Sequence, residues 1–345
     1  MDTPTLEAYL RSYCSDGDTT KAHIADAVRS LAQAAVAVRI ATKEGALGGA
    51  FADTRGSAYV QGDVQKDLDL LADEIFLEAA TRAHLAFYAS EELDKVVPIG
   101  GGSRLAIAID PLDGSSNIDA NVSIGTIFSI LPAAGDAERT FLQPGNRQLA
   151  AGFFIYGPQL ALALTLGEGA RIFVFSNSGG VFVEAYSALA IAPKTQEFAI
   201  NASNYRHWDA CVQLYLDDCV LGAEGPRGKD YNMRWVASLV AEAYRILIRG
   251  GVFLYPGDAR KGYRHGRLRL IYEANPIAML VEQAGGAATD GTNRILDLVP
   301  KDIHQRTPFV FGSVREVESI TRYHIDPSAI GSRNPLFGKR GLLRA

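Results

Sequence analysis

Between residues 85 and 175 the chain carries a succession of short apolar runs, several of them with no helical segment in between. They fall at 85–89, 105–109, 123–131, 152–156, 160–166 and 172–175. Runs of this length, rich in Val, Ile, Leu and Phe and bounded by Gly, Pro or Ser, read as strands. A purely parallel sheet needs a crossover between every pair of strands. The spacing therefore predicts a mixed sheet rather than an alternating βαβ layer.

Helical periodicity frames this region on both sides. Ile24, Val28, Leu31, Ala35 and Val38 recur at three- and four-residue steps, with Thr19 and Thr20 as candidate caps. That helix is expected to stop near Lys43-Glu44-Gly45 and give way to a glycine-rich loop through Gly56. A second helix is expected over 64–82, with Asp63 as N-cap and Leu68, Leu71, Ile75 and Ala79 as its buried stripe. Beyond Pro193 the pattern returns to helices at 209–219, 234–247, 275–282 and 314–322, with strands at 251–255 and 307–311. A boundary near 190–200 divides the chain into 1–195 and 196–345. No internal repeat is visible.

Composition narrows the function classes. With 345 residues, 48% hydrophobic and 21% charged, the chain is globular in character. A net charge of -5 argues against a nucleic-acid partner, which favours a basic face. It leaves room for a phosphorylated small molecule, because a few arginines or metal ions invert the sign of a pocket. Cys14, Cys211 and Cys219 are odd in number, widely spaced and without a CxxC pair. They read as reduced thiols of a cytoplasmic protein. The first eleven residues include Asp2 and Glu7 and lack the apolar stretch of a secretory signal. The longest apolar stretch, 152–166, is interrupted by Gly157 and Pro158 and falls short of a membrane span.

The chemistry concentrates in Asp110-Pro111-Leu112-Asp113-Gly114-Ser115-Ser116-Asn117. The string follows an apolar strand. Pro111 has no N–H and is expected to break the strand ladder, leaving Asp110 and Asp113 pointing to one side of a tight turn. Two carboxylates and the Leu112 carbonyl are hard oxygen donors suited to divalent cations. Gly114 allows close approach of the backbone, and Ser115 and Ser116 suit a phosphate cradle. The shorter Asp-Pro-Leu-Asp-Gly is also compatible with a surface turn; the whole string after a buried strand is much less so. Glu91-Glu92 follow a strand end and, taken alone, read as solvated acids. Glu273, with Arg269 and Tyr272 amid apolar neighbours, reads equally as a helix-capping acid. Asp63 and Asp69 read in isolation as a cap and an exposed helical acid.

Taken together, these strings resemble one family. Ser90-Glu91-Glu92, Asp110 to Asp119, Gly125-Thr126-Ile127-Phe128, Gly251 to Pro256 and Leu268 to Pro276 occur in this order in class I fructose-1,6-bisphosphatases. The similarity covers about residues 60–325; the Asp-Pro-Leu-Asp-Gly-Ser element is shared with inositol monophosphatase relatives. The resemblance implies an α/β fold with mixed sheets in α-β-α-β-α layers, a metal-binding first half and a sugar-phosphate-binding second half. It implies that Glu91, Asp110, the Leu112 carbonyl, Asp113 and Glu273 hold two or three Mg²⁺ ions, with Mn²⁺ as an alternative. Asp69 and Glu92 would orient and deprotonate water, and Asp63 would help close the site. Asp113, Gly114, Ser115 and Ser116 would hold the 1-phosphate. Asn201, Tyr205, Trp235, Tyr255 and Arg267 would contact the sugar and 6-phosphate. Arg234 would reach the 6-phosphate of a neighbouring subunit, implying a homo-oligomer, a tetramer by resemblance.

Trp235 stands where many relatives have Tyr, and Arg267 where they have Lys. Asp16-Gly17-Asp18-Thr19-Thr20-Lys21 replaces the phosphate-binding turn of AMP-inhibited relatives, which implies weak or absent AMP inhibition. The expected reaction is hydrolysis of the 1-phosphate of fructose 1,6-bisphosphate, in gluconeogenesis or the Calvin cycle. Sedoheptulose 1,7-bisphosphate remains an alternative substrate. A non-catalytic sugar-phosphate sensor would need no Asp69 and Glu92.

Overall fold

The computed structural model describes residues 4–52, 63–100 and 102–326, with backbone only over 44–52 and 63–66. Three helices open the chain: α1 (Leu6–Tyr13), α2 (Thr19–Ala52) and α3 (Asp63–Arg82). Eight strands follow: β1 (Phe87–Ser90), β2 (Val97–Pro98), β3 (Leu105–Asp113), β4 (Ile124–Pro132), β5 (Ala150–Tyr156), β6 (Leu160–Thr165), β7 (Ala170–Ser176) and β8 (Val181–Tyr186). A short helix, α4 (Ala137–Phe141), lies in the β4–β5 connection. The strands form one sheet in the order β2-β1-β3-β4-β5-β6-β7-β8. Only β1 and β3 run parallel; the remaining pairs are antiparallel.

The second half supplies β9 (Glu197–Ala199), α5 (Ala210–Val220), β10 (Asn232–Met233), α6 (Leu239–Arg249) and β11 (Val252–Tyr255). It continues with β12 (Leu268–Arg269), α7 (Asn275–Gln283), β13 (Ala287–Thr289), β14 (Arg306–Thr307), β15 (Phe309–Gly312) and α8 (Val314–Ile325). A five-stranded sheet runs β10-β9-β11-β15-β13, and β12 pairs with β14.

Side-chain alternation stacks these elements. Phe128, Phe154, Leu162 and Leu164 face one way and pack on Val28, Leu31 and Phe76 of α2 and α3. Ile127, Phe153, Ile155 and Ala163 face the other way, against Val240, Ile246, Ile277 and Leu280 of α6 and α7 and Phe253 and Phe311 of the second sheet. The far face of that sheet carries Phe198, Leu254 and Val310, covered by Val212 and Leu216 of α5 and Val317 and Ile320 of α8. Period-two alternation thus gives each sheet two apolar faces. The result is the expected α-β-α-β-α layering.

Several local expectations are corrected. The helix expected to stop near Gly45 continues to Ala52, so Gly45, Gly48 and Gly49 are helical. Each costs up to about 1 kcal/mol relative to Ala, which the intervening Ala, Leu and Phe residues tolerate. Its start is capped by Asp18, whose Oδ1 accepts the Thr20 N–H at 2.7 Å, rather than by a threonine. Leu71 is 39% exposed; Ala79 is buried as expected, and Ala72, Phe76 and Ala80 complete the stripe. The helix expected over 234–247 begins at Leu239, where Ser238 accepts the Ala241 N–H. Arg234 to Ala237 form a loop, held by the Val236 N–H on buried Glu242 and by a left-handed Ala237. Finally, the ladder is interrupted at Pro111, as its missing N–H predicts, but no tight turn follows. Asp110 pairs with Ile127 and Asp113 with Gly125, so the strand carries a bulge there and runs on.

Candidate active site

The bulge is what creates the site. It lies at the end of β3 beside the end of β1, its parallel neighbour, so the last residues of both strands meet there. Glu91 directly follows β1, and its N–H is bound to the Ile109 carbonyl. Glu273 comes from the second half, on a π-helical turn (Leu270–Ala274) that runs into α7. One carboxylate oxygen each of Glu91, Asp110 and Glu273 lies within 4.8 Å of the others. Asp110, Asp113 and Glu273 are 5–7% exposed.

Little within the protein neutralises this charge. Arg269 Nη1 lies 3.3 Å from Glu91 Oε1, and the Arg269 N–H donates to Glu273 Oε2. Asp113 Oδ2 accepts the Val240 N–H at the start of α6, at 3.2 Å. Asp110 Oδ1 accepts the Leu112 N–H at 3.1 Å. Burial, then Glu91, Asp113 and Glu273, push Asp110 well above the carboxylate range. Burial, then Glu91 and Asp113, push Glu273 the same way. Asp113 is raised to about 7 by burial, against the pull of the Val240 N–H. Glu91 is raised by burial, with Arg269 pulling down. Glu91 Oε2 and Asp69 Oδ1 are buried without a hydrogen-bond partner. Clustered, desolvated carboxylates with orphaned oxygens, more numerous than the arginines beside them (Arg269 and Arg306), are the donor set of hard divalent cations.

Asp69 and Glu92 border this cluster. Asp69 is raised to about 6 by burial and by Glu92, with a hydrogen bond from Ser115 opposing. Glu92 remains exposed at the mouth; partial burial of its carboxylate, then the charge of Asp73, raise it. Gly114 sits at φ +76, where an added Cβ would also lie 3.4 Å from Asn117 Nδ2. This left-handed glycine turns the chain into the short helix Ser115–Asn117, which presents Ser115 and Ser116 beside the acids. Asn117 Nδ2 donates to the Ala237 carbonyl, tying this turn to the Arg234–Ala237 loop. The side chain of Asp63, at the first turn of α3, lies outside the described residues.

A second cleft gathers Asn201, Tyr255 and Arg267 with Asn204, Trp208, Asp258, Arg260 and Tyr263. The guanidiniums of Arg260 and Arg267 lie 4.6 and 4.9 Å from the Tyr263 ring centre. Buried Asp258 accepts from Arg260 Nε at 3.0 Å. Two of the sequence-predicted contacts do not line this cleft. The Tyr205 hydroxyl donates to Asp217 at 3.0 Å, and Trp235 stacks on Phe253 with ring centres 5.8 Å apart. Trp235 still reaches Tyr255 by ring contact at 6.3 Å, and so buttresses the cleft. Arg234 is about half-exposed, 3.7 Å from Glu197. Sequence reasoning missed Asp258, Arg260 and Tyr263. The basic run Arg260, Lys261, Arg264, His265 and Arg267 in a chain of negative net charge was the available signal.

A layered α/β enzyme with an acid cluster beside a glycine–serine turn, and a cationic cleft in its second half, defines a metal-dependent phosphatase of phosphorylated sugars. The family is fixed by comparison. The profile described as "Fructose-1-6-bisphosphatase, N-terminal domain" matches residues 17–187, and "Fructose-1-6-bisphosphatase, C-terminal domain" matches 191–325. The chain is 62% identical to "Fructose-1,6-bisphosphatase class 1" of Rhizobium meliloti, across 100% of both chains. It is 51% identical to "Fructose-1,6-bisphosphatase class 1 2" of Nitrobacter hamburgensis, across 93% of each. The crystal structure of Leishmania major fructose-1,6-bisphosphatase in holo form superposes with a TM-score of 0.83 at 29% identity, covering 94% of this chain and 99% of that one. The chain belongs to the class 1 fructose-1,6-bisphosphatase family, and is a phosphoric monoester hydrolase.

Proposed function

We propose that the chain hydrolyses the 1-phosphate of fructose 1,6-bisphosphate to give fructose 6-phosphate and phosphate, through the acid cluster at the β3 bulge. The observation that carries this is the convergence of Glu91, Asp110 and Glu273 from three separate segments on one buried point. Identity of 62% over the full length to a fructose-1,6-bisphosphatase supports the six-carbon substrate over sedoheptulose 1,7-bisphosphate.

Glu91, Asp110, the Leu112 carbonyl, Asp113 and Glu273 would hold two or three divalent cations, magnesium or manganese. Such cations, when bound, neutralise the acids, polarise the phosphate and acidify water. The chain's own groups do the rest. Gly114 to Ser116 offer backbone N–H groups and hydroxyls to the 1-phosphate. Asp69 and Glu92, at the mouth, orient the attacking water and take its proton as it adds in line to phosphorus. Asn201, Tyr255 and Arg267 hold the 6-phosphate end, where the planar fork of the Arg267 guanidinium can take two phosphate oxygens at once. Asp63 would help close the metal site, and Arg234 would serve a neighbouring copy in a homo-oligomer, a tetramer. The first half, 1–195, carries most of the metal site, and 196–345 the sugar-phosphate cleft.

Among the described residues no helix is long and apolar enough to cross a membrane, which is consistent with a cytoplasmic enzyme. The test is phosphate release from fructose 1,6-bisphosphate with and without Mg²⁺. The expected result is turnover that stops on chelation. Equal rates in both conditions would remove the acid cluster from the reaction.

A further inference from the structure

Arg39 is the only arginine among the described residues in the buried class, at 9% exposure. Among the described residues its guanidinium makes one hydrogen bond, from Nη1 to Asn177 Oδ1 at 3.1 Å, a neutral partner. No described carboxylate pairs with it, whereas Arg227 and Arg245, its nearest equals in burial, each meet an acid. A buried guanidinium with no counter-charge among the described residues is costly, so an anion would be stabilised at this point.

The surroundings can receive one. Arg39 lines a cleft of about 430 Å³ between the C-terminal half of α2 and the segment that leads into β4, with the end of β5 beside it. Lys43, one helical turn further along α2, lines the same cleft, as do Thr42, Asn121 and Ser123. No carboxylate is among its described lining residues. Ile118 and Val122 supply an apolar wall. A planar fork, a point charge one turn away and neutral donors around them match a phosphate group. The volume is that of a small-molecule pocket.

We propose that this cleft binds a phosphomonoester, its phosphate on Arg39 and Lys43 and its body against Ile118 and Val122. The site is separate from both clefts described above and does not rest on the assigned reaction. It adjoins the catalytic turn from behind. Tyr156, part of its wall, shares a hydrogen bond of 2.7 Å with Thr126, whose hydroxyl donates to the Pro111 carbonyl at 2.8 Å. Pro111 lies in the bulge between Asp110 and Asp113.

The test uses the full chain freed of metal, with radiolabelled orthophosphate in equilibrium dialysis. Wild type is expected to bind one more equivalent per chain than Arg39→Gln. Lys43→Gln, an exposed substitution that spares the fold, is expected to weaken that equivalent about 10-fold. In crystals soaked with tungstate, an anomalous peak is expected between Arg39 and Lys43, lost in either variant. Identical stoichiometry and affinity in wild type and Lys43→Gln would overturn the proposal. So would tungstate confined to the catalytic clefts, or a cleft filled by an acid from residues 44–66 or from a second copy.

Discussion

Glu92 and Glu91 are adjacent, yet they face different tasks. Glu91 turns inward to Asp110 and Glu273, while Glu92 remains at the mouth, where water and Asp69 meet it. A base must exchange its proton with solvent after each turnover, and Glu92 is placed to do so. Glu92→Gln keeps the shape and removes the base, so kcat is expected to fall by roughly 10²–10⁴-fold. Steady-state rates across a Mg²⁺ series check this; near wild-type turnover would take Glu92 out of the role. Arg260 offers a second residue-scale prediction. Buried Asp258 and the Tyr263 ring fix its guanidinium in the wall of the second cleft. Loss of one charged hydrogen bond is worth about 1.5–3 kcal/mol. Arg260→Gln should therefore raise KM for fructose 1,6-bisphosphate roughly 10- to 100-fold. Fructose 1-phosphate lacks the distal phosphate, and its kcat/KM should be unchanged; a matching loss there would mean that Arg260 acts on the fold instead.

At the scale of elements, the start of α2 decides how the chain responds to nucleotides. The N–H groups of a helix start attract phosphate. Here two acids already occupy that end. Asp18 Oδ1 accepts the Thr20 N–H, while Asp16 accepts the Asp18 N–H at 3.1 Å and pairs with Lys21. A phosphate would have to displace like charge, so AMP at micromolar concentration should leave activity unaltered. A dose–response curve with half-inhibition in that range would contradict this. The same element shows what a sequence makes readable. The stripe Ile24, Val28, Leu31, Ala35 and Val38 is buried as its period demands, because helix burial is a local pattern. Helix α1 escapes such a reading because it buries only Leu6 and Leu10. Strand β8 escapes it because, as an edge strand, it is exposed over half its length. Asp110 and Asp113 are legible through the unbroken string Asp110 to Asn117, whereas Glu91 and Glu273 are legible only through the family resemblance, because chain distance hides their convergence. Asp258, Arg260 and Tyr263 are not legible, because their relation is a stack formed when the loop folds back on itself. The Arg234–Ala237 loop reads as helix because its fate is set by Glu242 and Asn117, neither of which its own sequence reveals.

At the scale of the whole molecule, the acid cluster makes folding depend on protons and metal together. Asp69 and Asp113 titrate at about 6 and about 7 in the folded chain against a reference of 3.8, and Asp110 and Glu273 are also raised. The folded state therefore holds protons that the unfolded state releases. Their contribution to stability is complete below about pH 4 and is lost as pH rises through 6 and 7. Metal ions compete for the same oxygens and bind better as the protons leave. The stabilisation conferred by Mg²⁺ should accordingly grow with pH, and taking the difference between loaded and chelated protein cancels titrations elsewhere, such as those of Glu7 and Asp258. Thermal melts at pH 5.5 and pH 8, each with excess Mg²⁺ and with chelator, measure it. The gap in Tm is expected to be small at the lower pH and wider by roughly 5 °C or more at the higher. A gap of equal size at both pH values would mean that the carboxylates around the β3 bulge do not share their charge, and that the strands and α7 bring them together for some reason other than holding metal.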